Sequence, residues 1–288
     1  MRIFVTGGSG YVGRSTIRAL VREGNEVTAL ARNDRASQTV SDVGAIPVRG
    51  ELTDTALLRE AAKYVDGVIH LAASEEKPDE VDLAAAEALL DGAHGSPYVH
   101  TGGVWVYGDT NGVVDEDARR NPPRLRAWRL ANEERVLARA ETGGHPVLVM
   151  PGLVYGESGG LLERFFVEPG RATGAVPCIG DGSNHWALVH RDDIVALYVL
   201  ALRAPAGSVY AGVSDQHPTQ QEVTEALSHA AGCPGSTVTL SLDEALAQMG
   251  PIAEAFALDQ RFTGARAREQ LGWKPAHQDA LADLARGR

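Results

Sequence analysis

A glycine-rich turn directly follows the first short apolar run of the chain. Residues 3–6 read as a buried strand, and Gly7, Gly10 and Gly13 then precede a segment of helical periodicity. In such a turn Gly7 permits the tight bend, Gly10 lets backbone approach a pyrophosphate, and Gly13 lets the helix pack close to the strand. The N–H groups at the start of a helix bind anions. This order of elements predicts a dinucleotide-binding βαβ unit at the start of the chain.

Short apolar runs alternate with helical periodicity through the first half of the chain. The alternation predicts an α/β fold, a Rossmann-type doubly wound parallel sheet. We expect strands at 3–6, 26–31, 45–48, 67–71, 98–101 and 147–150, and helices near 11–23, 54–63, 79–93 and 125–141. After Pro151 the alternation stops, and glycine- and proline-rich stretches surround helices near 192–203, 219–231 and 242–249.

This change predicts two regions. Residues 1–150 form the dinucleotide-binding domain. Residues 151–288 form a smaller C-terminal lid that is mainly substrate-binding, packs on the first domain and returns segments to it.

The composition excludes several classes of partner. The 288 residues include 27 Lys and Arg against 38 Asp and Glu, a formal net charge of −11. No excess positive charge is available for nucleic-acid phosphates or an anionic membrane, so we expect neither as a partner. Cys178 and Cys233 lie far apart without metal-ligand spacing, which predicts free thiols, no metal site and a cytoplasmic location. The N-terminus has no apolar run long enough for a signal peptide or a membrane span.

The end of the predicted second strand favours one form of the cofactor. In NAD-binding units an acidic residue about 20 positions beyond the glycines holds the ribose 2′-hydroxyl. Here that place holds Ala31 and Arg32, and the planar guanidinium can pair with a 2′-phosphate, assisted by Arg35 and Arg14. The pattern predicts NADP(H), with NAD(H) as an accepted alternative. In the other interpretation Arg32 is a solvated loop charge and Asp34 binds the ribose.

Several motifs, in order along the chain, resemble those of the extended short-chain dehydrogenase/reductases, the NAD-dependent epimerase/dehydratase group. The matching stretches are residues 6–13, 50–54, 70–73, 151–156, 189–193 and 271–275. With the second-strand arginines, the resemblance implies a cofactor site made by Gly7, Ser9, Gly10, Tyr11, Val12, Gly13, Arg32, Arg35, Glu51, Leu52, Leu71, Ala72, Ala73, Thr101, Pro151 and Leu153.

The catalytic set departs from that family. Its members use Tyr-x-x-x-Lys, in which the lysine lowers the tyrosine pKa, together with a Ser or Thr hydroxyl that polarises the carbonyl. No Tyr-x-x-x-Lys sequence occurs anywhere in this chain. The tyrosine place falls on Leu125 or Arg126, the lysine place on Arg129 or Leu130, and the Ser/Thr place on Gly103. The chain therefore resembles an atypical member that lacks the usual catalysts.

Two residues are candidates for the remaining catalytic work. Thr101 is the nearest hydroxyl, and because strand side chains alternate it should point with residue 103 toward the cofactor and orient substrate or water. Alternatively, it bonds neighbouring backbone at a strand end. Arg129 stands near the lysine place and can anchor a ribose hydroxyl or stabilise negative charge on oxygen. Its alternative is a solvated helix arginine.

The segments that border the family's substrate cleft are rich in aromatic side chains, which suit a flat aromatic small molecule. They carry Trp105, Tyr107, Trp128, Tyr155, His185 and Trp186. The chain is similar to atypical reductases that tailor aromatic polyketide antibiotics, the simocyclinone-type ketoreductases among them. The resemblance implies an NADPH-dependent ketoreductase of an angucyclinone-like polyketide, with the proton from water or a substrate hydroxyl.

Two other functions remain open. A non-catalytic NADP(H)-binding sensor would keep the cofactor site and lose the catalysts. A nucleotide-sugar epimerase or dehydratase ranks lower, because oxidation of a sugar hydroxyl needs the missing tyrosine base. Relatives often dimerise through the helices near 79–93 and 125–141, yet the same apolar residues can face this chain's own sheet, so monomer and dimer both remain open.

Overall fold

The computed structural model describes residues 1–287, which divide into two compact units. The first unit consists of residues 1–102, 128–150 and 195–210, and the second of residues 103–127, 151–194 and 211 onward. The sequence predicted a division at residue 150 with segments returning to the first domain. The assignment of cofactor binding to one region and substrate binding to the other stays a prediction.

The strands and helices of residues 1–287 have the following bounds. The strands are β1 (Arg2–Thr6), β2 (Glu26–Ala31), β3 (Ile46–Arg49), β4 (Gly67–His70), β5 (Pro97–Thr101), β6 (Val113–Val114), β7 (His145–Pro151), β8 (Leu153–Tyr155), β9 (Val176–Ile179), β10 (Leu188–His190), β11 (Ser208–Gly212), β12 (Thr237–Leu240) and β13 (Arg261–Phe262). The helices are α1 (Tyr11–Arg22), α2 (Asp34–Asp42), α3 (Thr55–Ala62), α4 (Pro78–Ala93), α5 (Trp128–Ala138), α6 (Gly160–Leu162), α7 (Glu168–Thr173), α8 (Arg191–Ala201), α9 (Gln220–Ala230), α10 (Leu242–Met249), α11 (Ile252–Phe256), α12 (Ala265–Leu271) and α13 (Ala280–Ala285).

A seven-stranded sheet has the order β11-β7-β5-β4-β1-β2-β3. The pairs β1–β2, β2–β3, β1–β4, β4–β5 and β5–β7 are parallel. Ile3, Phe4 and Val5 of β1 are fully buried, as expected where helices cover both faces of a parallel sheet. The predicted Rossmann-type α/β fold is confirmed. The strand order reverses between β1 and β4, and ligands of such folds bind at the carboxyl ends of the strands at this switch point.

One core of the first unit lies around α3, α4 and the sheet. Leu58, Leu89, Leu90, Tyr98 and Val136 are all buried in it. Leu89, Leu90 and Val136 lie on helices that the sequence offered as a dimer face. They are buried in this chain's own core, and the choice between monomer and dimer stays a prediction.

Several local predictions need correction. The sequence predicted no helix after β2, but α2 forms because the Asn33 side chain accepts a hydrogen bond from Ala36 N at 2.8 Å and caps it. The predicted helix over 125–141 is three pieces: a 3₁₀ turn at Arg124–Arg126, then α5, then a 3₁₀ turn at Arg139–Thr142.

The second unit holds strands that the sequence did not predict. Two-stranded sheets pair β10 with β8, β12 with β9 and β13 with β6. They were missed because runs of two to four residues give no clear alternation. A core that includes Phe166, Trp186 and Phe256 lies within this unit. No helix among residues 1–287 is both long and apolar enough to cross a membrane.

Candidate functional site

The turn between β1 and α1 is a cradle that needs glycine. Gly7 has φ +71, and a Cβ built on it would lie 2.7 Å from Ala72 N. A Cβ on Gly13 would lie 2.1 Å from Gly7 O. Gly10 N–H donates to Gly7 O at 2.9 Å, which closes the turn. The backbone is thus held in the compact form that lets a phosphate group approach it.

The start of α1 faces solvent above this turn. Gly10 is the N-cap and has no side chain to bond the first-turn N–H groups. Ser9 and Gly10 are exposed, and Tyr11 and Val12 are half-buried. A helix N-terminus without a side-chain cap fits an anionic ligand, so the cradle suits a pyrophosphate.

The turn is tied to the end of β4. The Thr6 hydroxyl oxygen accepts from Ala72 N at 3.3 Å, and Leu71 N–H donates to Thr6 O at 3.2 Å. Leu71 and Ala72 are half-buried and Ala73 is exposed. The predicted cofactor residues of these two strands therefore lie side by side at the switch point of the sheet.

Of the three arginines predicted to bind a 2′-phosphate, Arg32 and Arg35 follow β2 and Arg14 lies on α1. Arg14, Arg32 and Arg35 are exposed, and no hydrogen bond or ion pair to another residue of 1–287 holds their guanidinium groups. Asp34, the alternative ribose ligand, instead forms an ion pair with Arg49 at 2.6 Å. Nearby, Glu51 is exposed and Leu52 is half-buried.

The structure brings the two catalytic candidates together at the end of β5. The Thr101 hydroxyl donates to His70 O at 2.7 Å, which is the second of its two alternatives. The Arg129 guanidinium donates to Thr101 O at 2.9 Å and lies over the Trp128 ring at 4.7 Å. Arg129 is therefore fixed to the strand end and half-buried.

A buried tyrosine beside Thr101 was missed by the sequence reasoning. Tyr198 on α8 is 1% exposed and shares a hydrogen bond with the Thr101 side chain. Burial raises the pKa of the Tyr198 hydroxyl, so it stays protonated at neutral pH. The sequence feature that could have revealed it is a tyrosine, with its polar hydroxyl, within an otherwise apolar stretch of a predicted helix.

The six predicted substrate residues differ in burial. Tyr107, Tyr155 and Trp186 are at most 4% exposed, and each packs against another ring of the second unit. Trp105 and His185 are half-buried in that unit; Trp105 packs on Phe256, and His185 Nδ1 lies 2.8 Å from Asp259 Oδ1. Trp128 is half-buried on α5. Tyr107, Tyr155 and Trp186 have packing roles, and contact of any of the six with substrate stays a prediction.

Two predicted cofactor residues begin the second unit. Pro151 ends β7, and Leu153 begins β8 with its N–H donating to Ala187 O at 2.8 Å. Leu153 is 5% exposed. Their contact with a nicotinamide stays a prediction.

Comparison with known proteins agrees with the sheet and the cradle. The sequence pattern of the NAD dependent epimerase/dehydratase family matches residues 3–211. An uncharacterized protein of Saccharomyces cerevisiae is 28% identical over 301 aligned positions, covering 99% of this chain and 98% of that protein.

Two further similar proteins have named activities. A 4-hydroxy-2-methyl-3-oxo-4-farnesyl-3,4-dihydroquinoline-1-oxide ketoreductase from Stigmatella aurantiaca is 31% identical, covering 73% of this chain and 67% of that protein. A dTDP-glucose 4,6-dehydratase from Streptomyces venezuelae, solved with NAD bound, matches 100% of this chain and 95% of its own with a TM-score of 0.82 and 24% identity. That structural match shows the fold alone. From the match over residues 3–211, this chain belongs to the NAD dependent epimerase/dehydratase family.

Proposed function

We propose that this protein is an NADPH-dependent ketoreductase of secondary metabolism that reduces a carbonyl of an aromatic polycyclic, angucyclinone-like polyketide. The observation that carries the proposal is the end of β2, where Arg32 is exposed and Asp34 is paired with Arg49. This charge arrangement favours a ribose that bears a 2′-phosphate. The ketoreductase relative, which is named for a 3-oxo-dihydroquinoline, supports a ketone in a ring fused to an aromatic ring.

Different residues of the first unit would bind different parts of the cofactor. The glycine cradle and the start of α1 would hold the pyrophosphate, and Arg32 with Arg14 and Arg35 would hold the 2′-phosphate. NADPH, when bound, supplies a hydride to the carbonyl carbon. NAD(H) would bind more weakly, because it lacks the phosphate.

The proton for the carbonyl oxygen must come from elsewhere than Thr101 or Arg129. The Thr101 hydroxyl donates to the His70 carbonyl, and a guanidinium is too basic to release its proton. Arg129, fixed by its bond to Thr101 O, can stabilise negative charge that develops on the oxygen. Water or a hydroxyl of the substrate would then supply the proton. We place the reaction in the cytoplasm, with neither nucleic acid nor a membrane as a partner of the protein.

The test is a pair of aromatic ketones assayed with NADPH. One ketone carries a phenol next to the carbonyl, and the other carries the corresponding methyl ether. We expect NADPH oxidation with the phenol, transfer of deuterium from labelled NADPH to the product, and a rate with the ether about 10²–10⁴-fold lower if the phenol is the acid. Equal rates would assign the proton to water. No ketone-dependent oxidation across a panel of such compounds would overturn the reductase.

One observation favours a second candidate, a non-catalytic NADP(H)-binding sensor. The Thr101 hydroxyl is committed to backbone, as it would be in a protein that retains binding and lacks turnover. Calorimetric titration with NADPH and NADP⁺ separates the two. Tight binding without turnover of any panel ketone would favour the sensor.

A further inference from the structure

A cluster of three metal-ligating side chains lies under the sheet end, outside the cofactor cradle. His70 on β4 and His100 on β5 are paired in register, so their side chains lie on the same face. Asp82 of α4 faces them. The three residues are 1%, 0% and 5% exposed respectively. Their ligand atoms all lie within 4.8 Å of one another.

Both imidazoles are held with one nitrogen aimed into the cluster. His70 Nδ1 lies 2.6 Å from the Thr6 hydroxyl, and His100 Nδ1 lies 2.8 Å from the Tyr98 hydroxyl. The Nε2 atoms lie 3.9 Å and 3.8 Å from the two Asp82 carboxylate oxygens, too far for a hydrogen bond. Within residues 1–287 neither buried Nε2 has a hydrogen-bond partner. Buried polar atoms without a partner are rare and call for an explanation.

The buried Asp82 carboxylate has an uncharged hydrogen-bond donor but no lysine or arginine partner among residues 1–287. Asn132 Nδ2 donates to Asp82 Oδ2 at 3.0 Å. Buried charges in proteins are paired or coordinate metals.

We propose that His70 Nε2, His100 Nε2 and the Asp82 carboxylate bind a divalent transition metal ion, with Zn²⁺ as the ion to test and a water as fourth ligand. Two imidazoles and a carboxylate suit such an ion. Bonds of about 2.0–2.2 Å would place the ligand atoms roughly 3.3–3.6 Å apart. The two histidine–carboxylate distances here, 3.9 Å and 3.8 Å, are a few tenths longer. Thr6 and Tyr98 would accept from the Nδ1–H groups and orient the rings.

The proposed ion has a structural role. It joins β4, β5 and α4 directly beneath the strand ends that support the glycine turn, because Thr6 contacts both His70 and Ala72. Its site departs from the expectation of no metal, which rested on the cysteine spacing. Two histidines in register on neighbouring strands leave no short-range motif in the sequence.

The test measures metal binding and thermal stability of the full chain after removal of metal by a chelator. Asp82→Asn removes the charge at nearly constant volume. The matched control is His94→Asn, which removes an exposed imidazole and suits the left-handed backbone at that position. We expect wild type and His94→Asn to bind one equivalent of Zn²⁺ and gain about 5–10 °C in Tm at an excess of 100 Kd. Asp82→Asn should lose both effects.

Two results would overturn the site. The first is wild type that takes up no Zn²⁺, and the second is Asp82→Asn that binds it with the same gain in Tm. If Asp82→Asn does not fold, the visible spectrum of wild type titrated with Co²⁺ tests the site instead. A four-coordinate visible spectrum without thiolate charge transfer supports the site, whereas a thiolate band would place the ion on Cys178 or Cys233 and refute it.

Discussion

Asn33 and Asp34, the two polar residues that follow Arg32, each interact with another residue of the protein. Asn33 caps α2, and Asp34 pairs with Arg49. Arg32 is exposed and makes no such bond among residues 1–287. At this position Asp34 shares its exposed carboxylate with Arg49, whereas the Arg32 guanidinium has no partner among residues 1–287 and is open to an anionic ligand.

We predict that Arg32→Ala weakens NADPH binding roughly 10–100-fold, because a hydrogen-bonded charged contact contributes about 1.5–3 kcal/mol. NADH binding should change little. Calorimetric titration with both dinucleotides measures the difference. Arg22→Ala, which removes an exposed arginine at the other end of α1, serves as the control. Equal weakening of both dinucleotides would refute the 2′-phosphate contact.

We predict that the lowered pKa of His190 makes the folded protein less stable in acid. Burial and the His277 ring, stacked at 3.4 Å, lower the pKa of His190 below its ordinary 6.5. The unfolded chain therefore takes up the proton at a higher pH than the folded one, and this contribution to stability is lost as pH falls below 6.5. We expect the unfolding free energy to fall by at most about 1.4 kcal/mol per pH unit from this group.

Urea unfolding between pH 7 and pH 5 checks that contribution against His190→Asn, whose amide can still accept from Asp192 N. The variant should show a shallower decline with falling pH. Identical slopes for the two proteins would contradict the assignment.

The sequence alone could not decide the role of Thr101. Its acceptor, His70 O, lies on the neighbouring strand and 31 residues earlier in the chain. Tyr198 lies still farther along the sequence from Thr101. Contacts of this kind depend on the order of strands in the sheet, which periodicity does not give.

At the scale of elements, prediction succeeded where apolar periodicity and glycine agreed. Strands β1, β2, β4 and β5 and helix α1 lie within one residue of the predicted bounds. It failed at α2, where only Ala36 and Val40 are buried and the helix depends on its cap. The short strands of the second unit were missed for another reason: runs of two to four residues show no clear alternation, and their partner strands lie at least 35 residues away in the sequence.

Helix α9 offers a test of such a cap. Thr219 Oγ1 accepts from Glu222 N at 3.2 Å, and Glu222 Oε2 accepts from Thr219 N at 2.8 Å. The Thr219 backbone N–H, and after it the Thr219 hydroxyl, bond the Glu222 carboxylate and lower its pKa. We expect Thr219→Ala to reduce the unfolding free energy by about 1 kcal/mol in urea titrations, and Thr219→Ser to retain most of it. An alanine variant as stable as the serine variant would show that the cap contributes nothing.

For the molecule as a whole, the first unit is not made from one continuous stretch. Its sheet includes β11, which lies beyond residue 150. We predict that a fragment of residues 1–150 aggregates, because it exposes the edge of β7, whose Val147, Leu148 and Val149 are fully buried in the full chain. Expression and size-exclusion chromatography of the fragment beside the full chain test this. A monomeric fragment with cooperative unfolding would contradict it.

The position of β11 in the sequence also means that it is synthesised well after β7, the strand that it pairs with. Strand β7 ends at Pro151 and β11 begins at Ser208. At about 5–20 residues per second, a ribosome needs roughly 3–11 seconds to make the stretch between them. During that interval the edge strand β7 of the nascent sheet stays unpaired and apolar. The nascent chain therefore needs protection from aggregation until β11 has been synthesised.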